Sequence, residues 1–469
     1  MTRTSSNDAK PPINIAVVGH TNAGKTSLIR TLLRDDQFGE VDDAAGTTRY
    51  VEKSSIYVDE EEVLDLFDTP GFEDSSALLQ TLENLSQKKK PATPVELLHM
   101  FIAQADDYPD FAQETKVLRQ AVNSDVLLYM IDVREPLLGK YRDEVEILSK
   151  AGKPILPVFN FIAGHADALA KWREQMAQFN LHAALEFDTV AFDFEAEKRL
   201  YQKLQSLLEH RYEELQTLID YRQKIWHNLN QAAARRIFQL LVEVACYRRE
   251  IESKNGYSQA DITSMQNFVR NAEQQALQDL LTIFAFTRLD IDLQQLPVKD
   301  GQWELDIFSP LMLKTFGLDV GASALSGAAA GAGIDLLVGG MSLGAATLLG
   351  ATLGAGWATA RKYQQELTAL LRGHKWLCVD DNTVALLYLR QRKLLHVLTR
   401  RGHAAQGKLH YTGAATTERA EHKLPKQWSK AVKVLRQNPH WQSSSSTGDE
   451  YLKLQTRITG WLLHSETDD

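Results

Sequence analysis

Along the N-terminal part of the chain, short apolar runs alternate with longer stretches in which apolar residues recur at helical spacing. The run Ile13-Asn14-Ile15-Ala16-Val17-Val18 has the texture of a buried strand, and a glycine-bearing loop and an amphipathic helix from Ser27 to Arg34 follow at once. Ser55 to Val58 and Val63 to Phe67 flank the acidic run Asp59 to Glu62, which predicts an antiparallel hairpin leading into Asp68. Asp125 to Ile131 and Pro154 to Phe159 read as central parallel strands, and Thr189 to Phe192 as a weaker sixth. The interval from Gly71 to Ser124 is longer than one helix needs, and predicts an inserted helical excursion around Pro91 to Pro109. The alternation predicts an α/β domain over residues 13–195, a mostly parallel sheet with helices on both faces, behind a polar, disordered lead-in at residues 1–12.

Beyond residue 194 the texture changes to long helices, with no glycine or proline from His165 to Asn255. Two heptad rows run through this stretch: Leu204, Leu218 and Ile225, interrupted by Arg211, and Leu208, Leu215 and Leu229, interrupted by Arg222. An arginine in each row favours intramolecular core with snorkelling arginines over a dimerising coiled coil. Residues 196–296 thus read as a helical arm, and residues 297–372 as a Gly-rich hydrophobic hairpin region. From Gly317 to Ala360 there are eleven glycines and only two charges, Asp319 and Asp335. Glycines four apart, as in Gly327/Gly331 and Gly340/Gly344, let helix backbones approach closely, which suits reversible membrane insertion, contact with a membrane protein, or a buried helical hairpin. Residues 373–469 form a basic C-terminal region with a short strand at Trp376 to Val379, a helix through Leu386 to Leu398 and a last helix after Ser443 to Ser446.

Composition sharpens two points. Two cysteines, no CxxC pair and no apolar leader predict a cytoplasmic protein without disulfides or a zinc site, peripheral at the inner face of the cytoplasmic membrane if the Gly-rich stretch meets lipid. The net charge of -9 is unevenly spread: from Arg390 to Arg436 there are twelve Lys/Arg against Glu418 and Glu421, a block of +10. Such a density points to an anionic lipid or RNA partner, or to a solvated basic face.

The chemistry sits in the first loop. Gly19-His20-Thr21-Asn22-Ala23-Gly24-Lys25-Thr26 has the GxxxxGK[ST] spacing in which backbone N–H groups from Asn22 to Ser27 cradle phosphates. Lys25 then meets the β- and γ-phosphates, and Thr26 supplies a hydroxyl ligand for Mg²⁺. Asp68-Thr69-Pro70-Gly71 ends the third strand, where Asp68 would hold Mg²⁺ through water and the Gly71 N–H would sense the γ-phosphate. Between them lies Ala45-Gly46-Thr47-Thr48-Arg49, with Thr47 or Thr48 placed to close over Mg²⁺.

The order of these three motifs resembles the TrmE/Era group of translation-factor-related bacterial GTPases over residues 13–195, and the whole layout resembles such a GTPase fused to a C-terminal domain of unknown function. The resemblance implies a P-loop GTPase that binds GTP and GDP with Mg²⁺. It implies that Asn22 is a ligand for K⁺, acting as a built-in positive charge. Phe72 occupies the place of a water-orienting glutamine, leaving Glu73 or Asp74 to be read either as substitutes or as simple surface acids, so intrinsic turnover is expected to be slow and accelerated by a partner or a homodimer. The base-reading motif departs from the family: Asn160-Phe161-Ile162-Ala163 keeps the asparagine, offers a phenyl ring to stack on the base, and lacks the carboxylate that reads guanine. Asp167 is open to two readings, a carboxylate reaching back or a surface acid, and Ala191-Phe192-Asp193 carries no legible last motif. Three functions follow: a GTP-driven switch acting on a membrane or membrane protein, an RNA- or ribosome-associated GTPase using the basic tail, and a nucleotide-binding scaffold with little hydrolysis.

Overall fold

Strand β1 (Ile13–Gly19) alternates its side chains between two cores, and the rest of the N-terminal unit is built around that division. The structure is a computed structural model that describes residues 10–34, 51–187, 194–251, 258–284, 298–299, 302–303, 306–308, 334–338, 375–400, 424–442 and 448–463. The chain divides into two units, the first running to His227 and the second beginning at Asn228.

In the first unit β1 leads into α1 (Lys25–Leu33), then the hairpin β2 (Glu52–Val58) and β3 (Glu61–Asp68), α2 (Ser75–Lys89), α3 (Pro94–Ala103) and α4 (Ala112–Asn123). There follow β4 (Val126–Asp132), α5 (Gly139–Ser149), β5 (Ile155–Asn160), α6 (Ala166–Gln178), β6 (Leu185–Glu186), α7 (Phe194–Leu207) and the long α8 (Tyr212–Ala245), which crosses the boundary between units. The six-stranded sheet has the order β2-β3-β1-β4-β5-β6, parallel throughout except for the β2/β3 hairpin. Ile13, Ile15 and Val17 face a core shared with Leu28, Leu66 and Leu128, while Ala16 and Val18 face Leu82, Phe101 and Trp172 on the other side. The helical excursion is α3, which starts with Thr93 as N-cap and Pro94 in its first turn.

The sixth strand lies at Leu185–Glu186, because these residues pair with Val158 and Phe159 of β5; residues 189–192 lie outside the described residues. The sheet's core also continues past residue 195: Leu204, Leu208, Leu215 and Leu218 of the heptad rows are buried in the same cluster as Ile13 and Leu28. Arg222 does not snorkel to water there. It is drawn inward by Glu197, 3.4 Å away, and donates to the Leu32 carbonyl at 3.0 Å.

The second unit holds the rest of α8, β7 (Arg248–Ile251), α9 (Gln259–Ile283), the short pair β8 (Val298–Lys299) and β9 (Gln302–Trp303), β10 (Ile334–Val338), β11 (Lys375–Val379), α10 (Asp381–Arg400), α11 (Trp428–Gln437) and α12 (Asp449–Leu463). β10, β11 and β7 form an antiparallel three-stranded sheet. α9 opens with a reciprocal capping box between Ser258 and Asp261. Within the Gly-rich stretch, Ile334–Val338 is a strand paired with β11, so an uninterrupted helical hairpin across Asp335 is not what forms; residues 317–333 and 339–360 lie outside the described residues. Among the described residues no helix is long and apolar enough to cross a membrane.

The basic block is likewise not uniformly surface. Arg390 is fully buried, 3.1 Å from Glu273 and stacked 3.9 Å from the Trp303 ring, and Arg436 donates to the Val379 carbonyl. Arg390 serves the fold, because an arginine with a buried carboxylate and an aromatic face is held away from external phosphates, while Arg436 is largely covered and spent on a main-chain carbonyl. Lys426, Lys430 and Lys433 do face solvent, opposite the buried Trp428, Ala431, Val432 and Leu435 of α11. Residues 401–423 of the block lie outside the described residues.

Candidate functional site

The loop that follows β1 turns tightly because two of its residues adopt left-handed backbone, Asn22 at φ 64° and Gly24 at φ 92°. Asparagine tolerates that region and glycine prefers it. A Cβ on Gly24 would stand 2.2 Å from Asn160 Nδ2, so the asparagine at the end of β5 packs directly on the loop. Asn160 Nδ2 donates to the Ala23 carbonyl at 3.1 Å, bracing the loop from behind.

Lys25 is buried, and Nζ donates to the His20 carbonyl at 3.0 Å and the Gly19 carbonyl at 3.4 Å. Burial pulls its pKa down, while Asp68 and Glu144 pull it back up. An ammonium solvated by loop carbonyls, with carboxylates nearby, is poised to exchange those weak contacts for phosphate oxygens. Thr26 lies in the first turn of α1, and its hydroxyl donates to Asp68 Oδ2 at 2.5 Å. The other oxygen, Asp68 Oδ1, is buried without a hydrogen-bond partner, and burial pushes the carboxyl up to about 6. An orphaned carboxylate oxygen beside a threonine hydroxyl is a hard-oxygen donor set that fits Mg²⁺. Ser27 continues the first turn of α1, its carbonyl accepting from Thr31 Oγ1 at 2.9 Å.

Gly71 lies against the loop from the other side. A Cβ there would meet Thr21 Oγ1 at 2.4 Å, Thr21 N at 2.6 Å and Thr21 Cα at 2.7 Å, so only glycine allows the end of β3 to approach so closely. Phe72 is fully buried in the core with Leu78 and Phe101, and its ring is a packing element. Glu73 is exposed, and its N–H and that of Asp74 both donate to Glu114 Oε1, at 3.1 and 3.2 Å. Asp74 caps α2 by accepting from the Ala77 N–H. Thr47 and Thr48 lie outside the described residues. Asp167 sits exposed in the first turn of α6.

Two groups of residues join the site that no contiguous motif announces, and a third lies at the far end of α1. His20 is fixed between α5 side chains: Lys140 Nζ donates to Nε2 at 2.7 Å, leaving the proton on Nδ1 to donate to Glu144 Oε1 at 3.0 Å. Glu144 is fully buried and also accepts from Tyr129 Oη at 2.8 Å. At the end of β4, Asp132 accepts from Arg134 Nε at 2.9 Å and Nη2 at 2.7 Å, and the guanidinium lies 3.7 Å from the Phe161 ring centroid. Where α1 ends, Arg34 approaches Glu197 of α7 at 3.7 Å, and Glu197 also accepts from Tyr201 Oη at 2.8 Å and pairs with Arg222 of α8. A buried carboxylate on a helix or an acid two residues from an arginine is too common a pattern to mark such sites in advance; their partners are distant in sequence.

Residues 14–161 match the family model described as a 50S ribosome-binding GTPase, and residues 173–459 match that of a domain of unknown function, DUF3482. Among characterised proteins, GTPase Der of Campylobacter concisus is 30% identical over 158 residues, 34% of this chain and 27% of that protein. The tRNA modification GTPase MnmE of Streptococcus gordonii is 32% identical over 126 residues, 27% of this chain and 27% of the other. The chain therefore spans little more than a quarter of the length of either relative. A crystal structure of a variant of Aquifex aeolicus Era bound to GDP and aluminium fluoride aligns with 58% of this chain and 89% of that one at 16% identity, with a TM-score of 0.28. The N-terminal sheet and its loop are those of a P-loop GTPase domain.

Proposed function

Since this chain belongs to the DUF3482 family and carries that domain behind a P-loop GTPase domain, we propose that it is a GTP-binding and GTP-hydrolysing switch whose nucleotide state is read out by its C-terminal half. The observation that carries this reading is the joint occurrence of the phosphate loop and the Arg34–Glu197–Arg222 cluster. Arg34 is the C-cap of the helix that begins with Lys25, and the next residues lead to Thr47 and Thr48. Glu197 ties that helix end to α7 and to Arg222 of α8, a single helix of 34 residues. A change at the end of α1 on exchange of GTP for GDP would therefore strain a buried ion cluster at the root of the long helix.

In this reading Lys25 and the N–H groups from Asn22 to Ser27 bind the β- and γ-phosphates, and the Gly71 N–H senses the γ-phosphate. Thr26, Asp68 and Thr48 would hold Mg²⁺, and Asn22 would hold K⁺. Bound there, the two cations supply positive charge against the negative charge that develops on the transferred phosphoryl group. Glu73, exposed beside Gly71, is the candidate to orient the attacking water once the adjoining loop closes; Phe72 has no such role. Turnover is slow for want of a fixed orienting group, and a partner or second copy accelerates it. The output is association with a membrane or membrane protein through residues 317–360.

A specific surface favours a second output. Lys426, in the turn before α11, and Lys430 and Lys433 on that helix are exposed, suited to RNA phosphates or anionic lipid headgroups. The switch itself is tested by GTP hydrolysis with the full chain in KCl and in NaCl: hydrolysis lost on Lys25→Ala and faster in KCl is expected, and activity indifferent to Lys25→Ala refutes the site. Vesicle flotation with GTP and GDP then separates the outputs. Nucleotide-dependent flotation supports the membrane reading, and its absence together with salt-sensitive RNA binding lost on reversing the three lysines supports the other.

A further inference from the structure

The end of β5 is built unlike the rest of the loop's surroundings: it offers a ring and a cation, and its hydrogen-bonding groups are turned inward. Phe161 takes a left-handed backbone conformation, φ 57°, that a bulky residue adopts only when its surroundings hold it there. Its N–H is held by Asn160 Oδ1 at 2.9 Å, and its ring edge lies 3.8 Å from where a Cβ of Gly24 would be, so the ring borders the phosphate loop. Arg134 covers the ring at 3.7 Å. This arginine is itself immobilised: Asp132 grips its guanidinium at two points and accepts from its backbone N–H at 2.9 Å, while Trp172 Nε1 donates to the next carbonyl, that of Glu135, at 3.2 Å. Asn160, the polar side chain of this segment, spends its amide on the Ala23 carbonyl and the Phe161 N–H. Ile162 and Ala163, which follow, are apolar.

A base attached to phosphates held by the loop thus meets a π-face backed by a fixed cation. A cation on one face draws electron density through the ring and favours an electron-rich purine on the other. Stacking of this kind tolerates any base, because every base has a π-face, whereas strong discrimination needs a buried polar group that the wrong base leaves unpaired. We propose that Phe161, backed by the Asp132-clamped Arg134, is the base-binding residue of the nucleotide site, and that the site selects purine nucleoside triphosphates by stacking, taking ATP nearly as well as GTP. The proposal rests on the reading of the loop as a nucleotide site and specifies what that site accepts.

The test is equilibrium binding of fluorescent ribose-labelled GTP and ATP to the full chain with Mg²⁺. Dissociation constants for the two within about tenfold of each other are expected, with Phe161→Ala weakening both by about tenfold, the factor a stacked base commands. Phe161→Trp should retain wild-type affinity for both, and Arg134→Ala should weaken both severalfold with little change in their ratio. A preference of the unaltered protein for GTP above about a hundredfold overturns the proposal, since stacking alone does not supply it. That result needs no variant to fold. Base-selective binding that is lost on Lys25→Ala refutes this proposal and leaves the nucleotide reading standing; binding of neither nucleotide refutes both.

Discussion

At Gly71 there is no room for a methyl group, since three atoms of Thr21 lie within 2.7 Å of the place it would take. Two of those atoms are backbone, so relief requires the loop or the end of β3 to move. Gly71→Ala is therefore expected to cost about 1–3 kcal/mol of stability and at least tenfold in nucleotide affinity, checked by thermal unfolding and titration calorimetry. Two buried phenols set a second expectation. Tyr129 and Tyr201 donate to Glu144 and Glu197, and burial together with those carboxylates holds both phenols well above their ordinary value of 10.0. Because the unfolded chain ionises them first, their contribution to stability is complete below pH 10 and is lost as the pH rises beyond it. A spectrophotometric titration should find these two protonated until the protein unfolds, and their ionisation with the exposed tyrosines in the native state would contradict it. Lys25 and Thr26 were legible in the sequence because they share one contiguous loop motif, and Asp68 because it opens the separate Asp68-Thr69-Pro70-Gly71 motif at the end of a strand. Arg134, Glu144 and Arg222 were not, because each acts on residues that only the fold brings near.

Elements show the same division between local and distant causes. The strands and the α1 helix were readable because buried parallel strands demand continuous apolar runs and helices demand a periodic face. The edge strand Leu185–Glu186 was not legible, because two residues carry too little pattern to stand out. The heptad rows gave the buried face of α7 and α8, but the arginine in the second row answered to Glu197, on the preceding helix. Breaking that cluster is informative. Glu197→Gln leaves Arg34 and Arg222 buried around a neutral amide, and is expected to cost about 3 kcal/mol in denaturant unfolding. If the cluster carries the nucleotide signal, the same variant retains GTP affinity and loses any GTP-dependent response of the C-terminal half. A response surviving in Glu197→Gln would assign the coupling to other contacts.

On the scale of the whole molecule, a P-loop GTPase domain precedes a domain that has its own small sheet and its own buried charges. Its basic segment illustrates why charge counts mislead: the density from Arg390 to Arg436 suggested one surface, yet Arg390 and Arg436 are spent on Glu273 and the Val379 carbonyl. Exposed Lys426, in the turn before α11, and Lys430 and Lys433 on it remain for a partner. α8 belongs to both units, with Leu215 and Leu218 in the first core and Phe238 and Leu241 buried in the second unit. In the proposed switch, α8 is the element that would carry the nucleotide signal. Amide hydrogen exchange of the full chain with Mg²⁺, comparing GDP with a non-hydrolysable GTP analogue, tests this most directly. The switch account predicts that both ligands protect residues 19–27 and that protection across α7 and α8 differs between them; identical exchange in α7 and α8 with residues 19–27 protected in both states would contradict it.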